Sequence, residues 1–231
     1  MNKVFINHLF YADDSVLIAS SPAAILINIC QAYARNNDIV YNSKKTICMS
    51  FKPKCLKNLH VPTIYLNESP LKWVTNQKYL GVYFSDNVTD DRDITRELHA
   101  LYAQGNIILR KIGKCSLQVK IQLFKSYCSN MYCCPLWSNF SSALYKKLQV
   151  AYNNVFRFLC NVKGKHSISQ LFVNARVDPF NVLIRKSITS LRNRIINSSN
   201  KVLSAVFNSS HFILNSITGN HWNGAIFQLN V

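Results

Sequence analysis

Near residue 88 the hydrophobic pattern of the chain changes period, and that break limits what it can fold into. Before it, short aromatic and β-branched runs are separated by turn residues, as strands are. After it, apolar residues recur at helical spacing. Residues 89–112 carry Ile94, Leu98, Leu101, Tyr102, Ile108 and Leu109 on one helical face. Asp90, Asp91 and Asp93 cluster at its start, where the helix dipole favours acids. Residues 117–132, 143–159 and 179–196 read as further helices, separated by Pro135, Gly164 and Pro179. From about Ser198, Asn and Ser blur the pattern and no element is assigned. The expectation is an α+β protein: 1–88 strand-rich with one packed helix, 89–197 helical, and 198–231 a tail of uncertain structure.

Charge divides at the same place. The formal net charge is +17. Residues 1–100 hold 11 Lys or Arg and 9 Asp or Glu, whereas residues 101–231 hold 16 basic residues and one acid, Asp178. A near-neutral first half and a basic second half imply two jobs. The second half should attract a polyanion, and a phosphate backbone suits it better than a membrane, because no amphipathic anchor or lipid motif is present.

Hydrophobic residues make up 48% of the chain, enough to bury a core. No apolar run reaches the roughly 18 residues a spanning helix needs, and the apolar start is broken by Asn7, His8, Asp13 and Asp14 with no cleavage site after it. The eight cysteines include no C-x-x-C pair and no His/Cys set at zinc spacing, so they read as reduced, mostly buried thiols. These features predict an intracellular protein, nuclear or cytoplasmic.

Within the first part, 3–11 and 15–19 read as two strands joined by a turn at Ala12-Asp13-Asp14. Ser21-Pro22 is a helix start, and the helix runs to about Arg35. Strands are expected at 39–41, 46–51, 64–66, 71–74 and 79–84, with a basic loop at 52–60. The sharpest chemical feature is Tyr11-Ala12-Asp13-Asp14. Two adjacent carboxylates at a hairpin tip repel each other when both ionise. A divalent cation relieves that repulsion, and such oxygen ligands suit Mg²⁺. Carboxylates of this kind hold the ions of two-metal nucleotidyl transfer. Taken alone, the same four residues fit an ordinary polar turn equally well.

With its flanking strands, Phe10-Tyr11-Ala12-Asp13-Asp14 resembles the catalytic hairpin of reverse transcriptases, in the form common to LINE-type (non-LTR) retrotransposons. After the following helix, Val40-Tyr41-Asn42-Ser43-Lys44-Lys45-Thr46 resembles that family's lysine-bearing strand–turn. Lys45 is the better match and Lys44 the alternative. Tyr79-Leu80-Gly81-Val82-Tyr83-Phe84 resembles the primer-grip hairpin, where a strand glycine would permit close approach of another backbone. The basic helices resemble the thumb, best over 120–137 and 149–157. The resemblance covers about 5–195 and implies an RNA-directed DNA polymerase acting on an RNA template, a DNA primer and dNTP. It implies that Asp13 and Asp14 bind Mg²⁺ and that Lys45 assists pyrophosphate departure. Leu80, Gly81 and Val82 would place the primer, and Lys120, Lys125, Lys146, Lys147 and Arg157 would grip the duplex.

The chain departs from the family in one respect. There, a further aspartate on an earlier strand completes the metal site, and the fingers precede the YADD turn by many tens of residues. Here ten residues precede Tyr11. The sequence therefore predicts a polypeptide that is inactive by itself and that needs the missing N-terminal half of a polymerase. The alternative expectation is a non-catalytic remnant that binds RNA or RNA–DNA hybrids.

Overall fold

The structure is a computed structural model that describes residues 7–21, 27–51, 61–162, 166–209, 212 and 216–227. The expectations for 3–6, for the helix start at 22–26 and for the basic loop at 52–60 lie outside these residues. The fold mixes helices with small sheets, compatible with the α+β expectation, and divides into two compact units. One comprises Met1–Lys78 with Ser85–Val88, the other Tyr79–Phe84 with Thr89–Val231.

The first unit opens with an antiparallel hairpin, β1 (His8–Tyr11) and β2 (Asp14–Leu17), in the register His8↔Leu17 to Tyr11↔Asp14. Helix α1 (Ile27–Asn36) follows. Its end explains why 39–41 forms no strand. Asp38 takes φ +54°, and the Ile39 N–H closes back onto the Ala34 carbonyl at 2.9 Å, the long-range bond of a Schellman cap. Val40 is left 88% exposed.

The remaining strands are short. β3 (Ile47–Cys48) pairs in parallel with β6 (Lys72–Trp73). β4 (Tyr65–Leu66) and β5 (Ser69–Pro70) pair antiparallel around Asn67 and Glu68. Both of those residues have positive φ (48° and 62°), which marks a type I′ turn. Ile64, Leu66 and Leu71 form a small buried cluster, with Ile27, Tyr41, Cys48 and Trp73 packed on it.

The segment 79–84, expected as one strand, is the tip of a hairpin between β7 (Asn76–Tyr79) and β8 (Val82–Ser85). Leu80 (φ 47°) and Gly81 (φ 86°) are its two turn residues, again with both φ values positive.

The second unit is helical: α2 (Asp91–Ile112), α3 (Leu117–Leu123), α4 (Ser142–Leu159), α5 (Ile168–Ala175), α6 (Phe180–Ile196), α7 (Lys201–Phe207) and α8 (Ile217–Phe227). α3 runs into a π-helical turn, Phe124–Cys128, closed by the Ser129 N–H on the Phe124 carbonyl. A 3₁₀ turn, Cys134–Leu136, precedes α4.

The core of this unit is aromatic. Phe124, Tyr152, Phe156, Phe172 and Phe180 are all essentially inaccessible, and Phe156 stacks on Phe172 with ring centroids 4.7 Å apart. α5 contributes Phe172 to this core. It is capped by Ser167 at its start and by Arg176 (φ 52°) at its end. α8 docks through Trp222, whose Nε1–H donates to the Pro135 carbonyl at 2.7 Å. Among the described residues, no helix is long and apolar enough to cross a membrane.

Candidate functional site

The YADD turn is a two-residue loop, Ala12–Asp13, because Asp14 already pairs with Tyr11. Ala12 holds φ +52°, a conformation that an L-residue adopts at some cost. Asp13 and Asp14 are exposed at the tip, and Phe10 and Tyr11 beside them are each 64% exposed. All ten Asp and Glu residues of the chain lie among the described residues. Among those residues, no group of three His, Cys, Asp or Glu side chains is placed to hold a metal ion. At the hairpin tip Asp13 and Asp14 stand side by side.

Lys45 lies in an exposed turn organised by Asn42. Its N–H donates to the Asn42 carbonyl and to Asn42 Oδ1, both at 3.1 Å, while Thr46 Oγ1 donates to the same carbonyl at 2.8 Å. Among the described residues, no hydrogen bond or ion pair joins Lys45 to Asp13 or Asp14.

The Leu80–Gly81 turn is held by the helical unit. Tyr132 Oη donates to the Leu80 carbonyl at 3.0 Å, and a Cβ on Gly81 would lie 2.9 Å from Tyr132 Cε1. The close approach that the glycine permits is therefore made here by the Tyr132 ring. Next to it, the Tyr83 N–H donates to Asp93 Oδ1 at 3.1 Å, and the Arg92 guanidinium lies over the Tyr83 ring at 5.1 Å.

Asp93 is 1% exposed and fully engaged. Besides Tyr83, Arg96 Nε donates to Oδ1 at 2.8 Å, and Trp137 Nε1 donates to Oδ2 at 2.9 Å. Its neighbours act on the loop before α4. Asp90 Oδ2 accepts from the Ser138 and Asn139 N–H groups at 2.7 and 2.8 Å, and Asp91 Oδ1 accepts from the Ser141 N–H at 2.7 Å. Arg96 also pairs with Glu97 at 2.9 Å.

Burial pushes the Asp90 carboxyl above its ordinary range, against the lowering effect of the two N–H groups, and the charges of Asp93 and Asp91 add to the rise. Burial likewise raises Glu97, outweighing the pull of Arg96. The sequence assigns Asp90, Asp91 and Asp93 to the helix dipole. Their reach to residues more than forty positions downstream was not visible there. The signal that could have raised the question is their density: four acids in 90–97, ahead of a half that holds one.

The basic residues expected to contact nucleic acid are spread over the helical unit. Lys146 and Lys147 are exposed on α4, and Lys146 Nζ donates to Gln149 Oε1 at 2.9 Å. Lys120 on α3 and Lys125 in the π-helical turn are partly buried. Arg157 is partly buried as well, and its Nη1 is shielded from solvent without a hydrogen-bond partner among the described residues. Asp178, the lone acid of this half, is neutralised by Lys186 at 2.7 Å.

No family model matches the chain, and no solved structure matches it. Over 132 residues it is 29% identical to a probable RNA-directed DNA polymerase from transposon X-element of Drosophila melanogaster. The aligned stretch is 55% of this chain and 14% of that protein, so the chain spans a small part of the relative's length. This similarity supports a reverse transcriptase relationship.

Proposed function

We propose that the chain is the C-terminal part of a non-LTR retrotransposon reverse transcriptase, the first unit a remainder of the palm and the second the thumb. The observation that carries this reading is the YADD hairpin. Two adjacent carboxylates stand exposed at the end of a strand pair in regular register, in a chain similar to a transposon polymerase. In this reading Asp13 and Asp14 are ligands for Mg²⁺, which when bound supplies charge neutralisation for nucleotidyl transfer. Mg²⁺ keeps near-octahedral coordination and several waters, so two carboxylates bind it weakly. The third ligand then comes from outside this chain.

Lys45 is the residue available to place charge beside a triphosphate, and Leu80–Val82 lie against the primer. Lys120, Lys125, Lys146, Lys147 and Arg157 contact the phosphates of an RNA–DNA hybrid. The 231-residue polypeptide alone binds such a hybrid without polymerising. That part of the reading rests on the two-carboxylate donor set and on a second half whose one acid is already paired.

The test is dNTP incorporation on an RNA template with a DNA primer and Mg²⁺, comparing wild type with the double variant Asp13→Ala, Asp14→Ala. The expected result is no incorporation by either protein, with equal salt-sensitive hybrid binding. Incorporation that disappears in the double variant would overturn the inactivity and support the metal role. Absence of hybrid binding would overturn the reading itself.

A further inference from the structure

We propose that Asp93 and Tyr132 are positioning residues for the Leu80–Val82 turn, building it into the thumb so that primer placement is set by the helical unit. The inference rests on the reading above for what the turn touches, but its structural part stands on the hydrogen bonds alone. A two-residue turn with both φ values positive presents its carbonyls and N–H groups outward, where water would ordinarily take them. Here protein groups take the Leu80 carbonyl of the turn and the outward N–H of Tyr83 in the strand just after it. Tyr132 Oη holds the Leu80 carbonyl, and the Asp93 carboxylate holds the Tyr83 N–H.

Each of these partners is itself fixed. Asp93 is locked by Arg96 and by the buried Trp137 indole. The Tyr132 carbonyl accepts from Arg96 Nη2 at 3.4 Å. Arg96 therefore links the two anchors, and Arg92 over the Tyr83 ring covers the outer side. The segment Tyr79–Phe84 accordingly belongs to the helical unit. A carboxylate that receives four N–H donors at 1% exposure is preorganised, so the turn has one position relative to α2.

The experiment uses the full chain in three forms: wild type, Tyr132→Phe and Asp93→Asn. Tyr132→Phe removes one hydroxyl from a half-exposed ring and leaves the core intact, so it remains informative if Asp93→Asn folds poorly. Amide hydrogen exchange is read at Tyr83, with the α4 core amides 148–156 as the control for global folding. Wild type should protect the Tyr83 amide. Loss of one neutral hydrogen bond in Tyr132→Phe should speed its exchange roughly fivefold, and loss of the charged acceptor in Asp93→Asn about tenfold or more.

In parallel, an RNA–DNA hybrid carrying a photoreactive group at the primer 3′ end is cross-linked to each protein. Wild type should cross-link within 79–84, and Tyr132→Phe should lose roughly fivefold of that yield, in proportion to its loss of anchoring, while hybrid affinity stays within about twofold. A purely structural role would leave the cross-link yield within 79–84 unchanged. Equal exchange at Tyr83 in all three proteins overturns the anchoring whatever the cross-links show. Protected Tyr83 with wild-type cross-links falling elsewhere overturns the assignment of the turn to the primer, which is the reading and not the anchoring.

Discussion

Gly105 sits where α2 meets α4, and replacing it tests the packing of the helical unit quantitatively. A Cβ there would fall 2.6 Å from Val155 Cγ1 and 3.3 Å from Cγ2, and contacts under 3.0 Å are essentially never made by real Cβ atoms. Val155 cannot turn aside, because it is buried and a β-branched side chain in a helix has one strongly preferred rotamer. Overpacking of this kind costs about 1–3 kcal/mol. The gain in helix propensity from glycine to alanine returns only about 1 kcal/mol. Gly105→Ala should therefore destabilise the protein by up to about 2 kcal/mol net.

Val155→Ala alone should cost about 1.6 kcal/mol or more, for two methyl groups removed from a buried site. In that background the Cγ atoms are gone and the nearest remaining atom, Val155 Cβ, is at an ordinary 3.6 Å. Gly105→Ala should then become stabilising by about 1 kcal/mol, a favourable coupling of about 1–3 kcal/mol between the two sites. Urea denaturation of the four proteins, followed by circular dichroism at 222 nm, closes the cycle. A Gly105→Ala substitution with the same sign and size in both backgrounds would refute the reasoning.

Two further expectations follow from the buried groups. The folded protein holds the Asp90 proton more tightly than the unfolded chain does, so wild type loses stability as pH rises from the ordinary carboxyl value of 3.8 through the raised one. Asp90→Asn keeps an acceptor for the Ser138 and Asn139 N–H groups without titrating. The stability difference, measured as urea midpoints at pH 4 and pH 7, should therefore move in the variant's favour at the higher pH, and movement toward wild type contradicts it. Burial pushes the Cys128 and Cys134 thiols up to about 12, whereas Cys115 is exposed. A thiol-reactive disulfide at pH 8 should label Cys115 in the native protein and the other two only on unfolding; equal native rates at all three would be the contrary result.

The long helices were legible in the sequence because their apolar spacing is local. Ile94, Leu98, Leu101 and Ile108 are buried on α2 as the period requires, and Pro179 stands immediately before α6. The YADD hairpin was legible for the same reason, since aromatic and β-branched runs on either side of a short polar turn are a local pattern.

Where backbone conformation turned on one residue, the reading failed. Asp38 in the left-handed region ends α1 in a cap that consumes the Ile39 N–H, so the apolar triplet that looks like a strand begins inside a helix cap. Leu80 takes positive φ beside Gly81, which turns an apparent strand into a hairpin tip. Leucine gives no warning of this. The helices at Ile168–Ala175, Lys201–Phe207 and Ile217–Phe227 lie in segments rich in Ser and Asn, and Ser167 and Asn200 turn out to be N-caps. The Asp93 network was invisible because its partners, Tyr83 and Trp137, are brought together only by the fold.

A basic helical unit that grips a nucleic-acid backbone, as proposed, binds with a strong dependence on salt. Affinity for an RNA template–DNA primer hybrid should be measured from low to physiological salt and above, for wild type and for Lys146→Ala with Lys147→Ala. Log affinity should fall steeply and linearly with log salt, and the slope of the double variant should be smaller by about 2, roughly one for each phosphate contact removed. Binding that ignores salt, or a double variant with the wild-type slope, would contradict it.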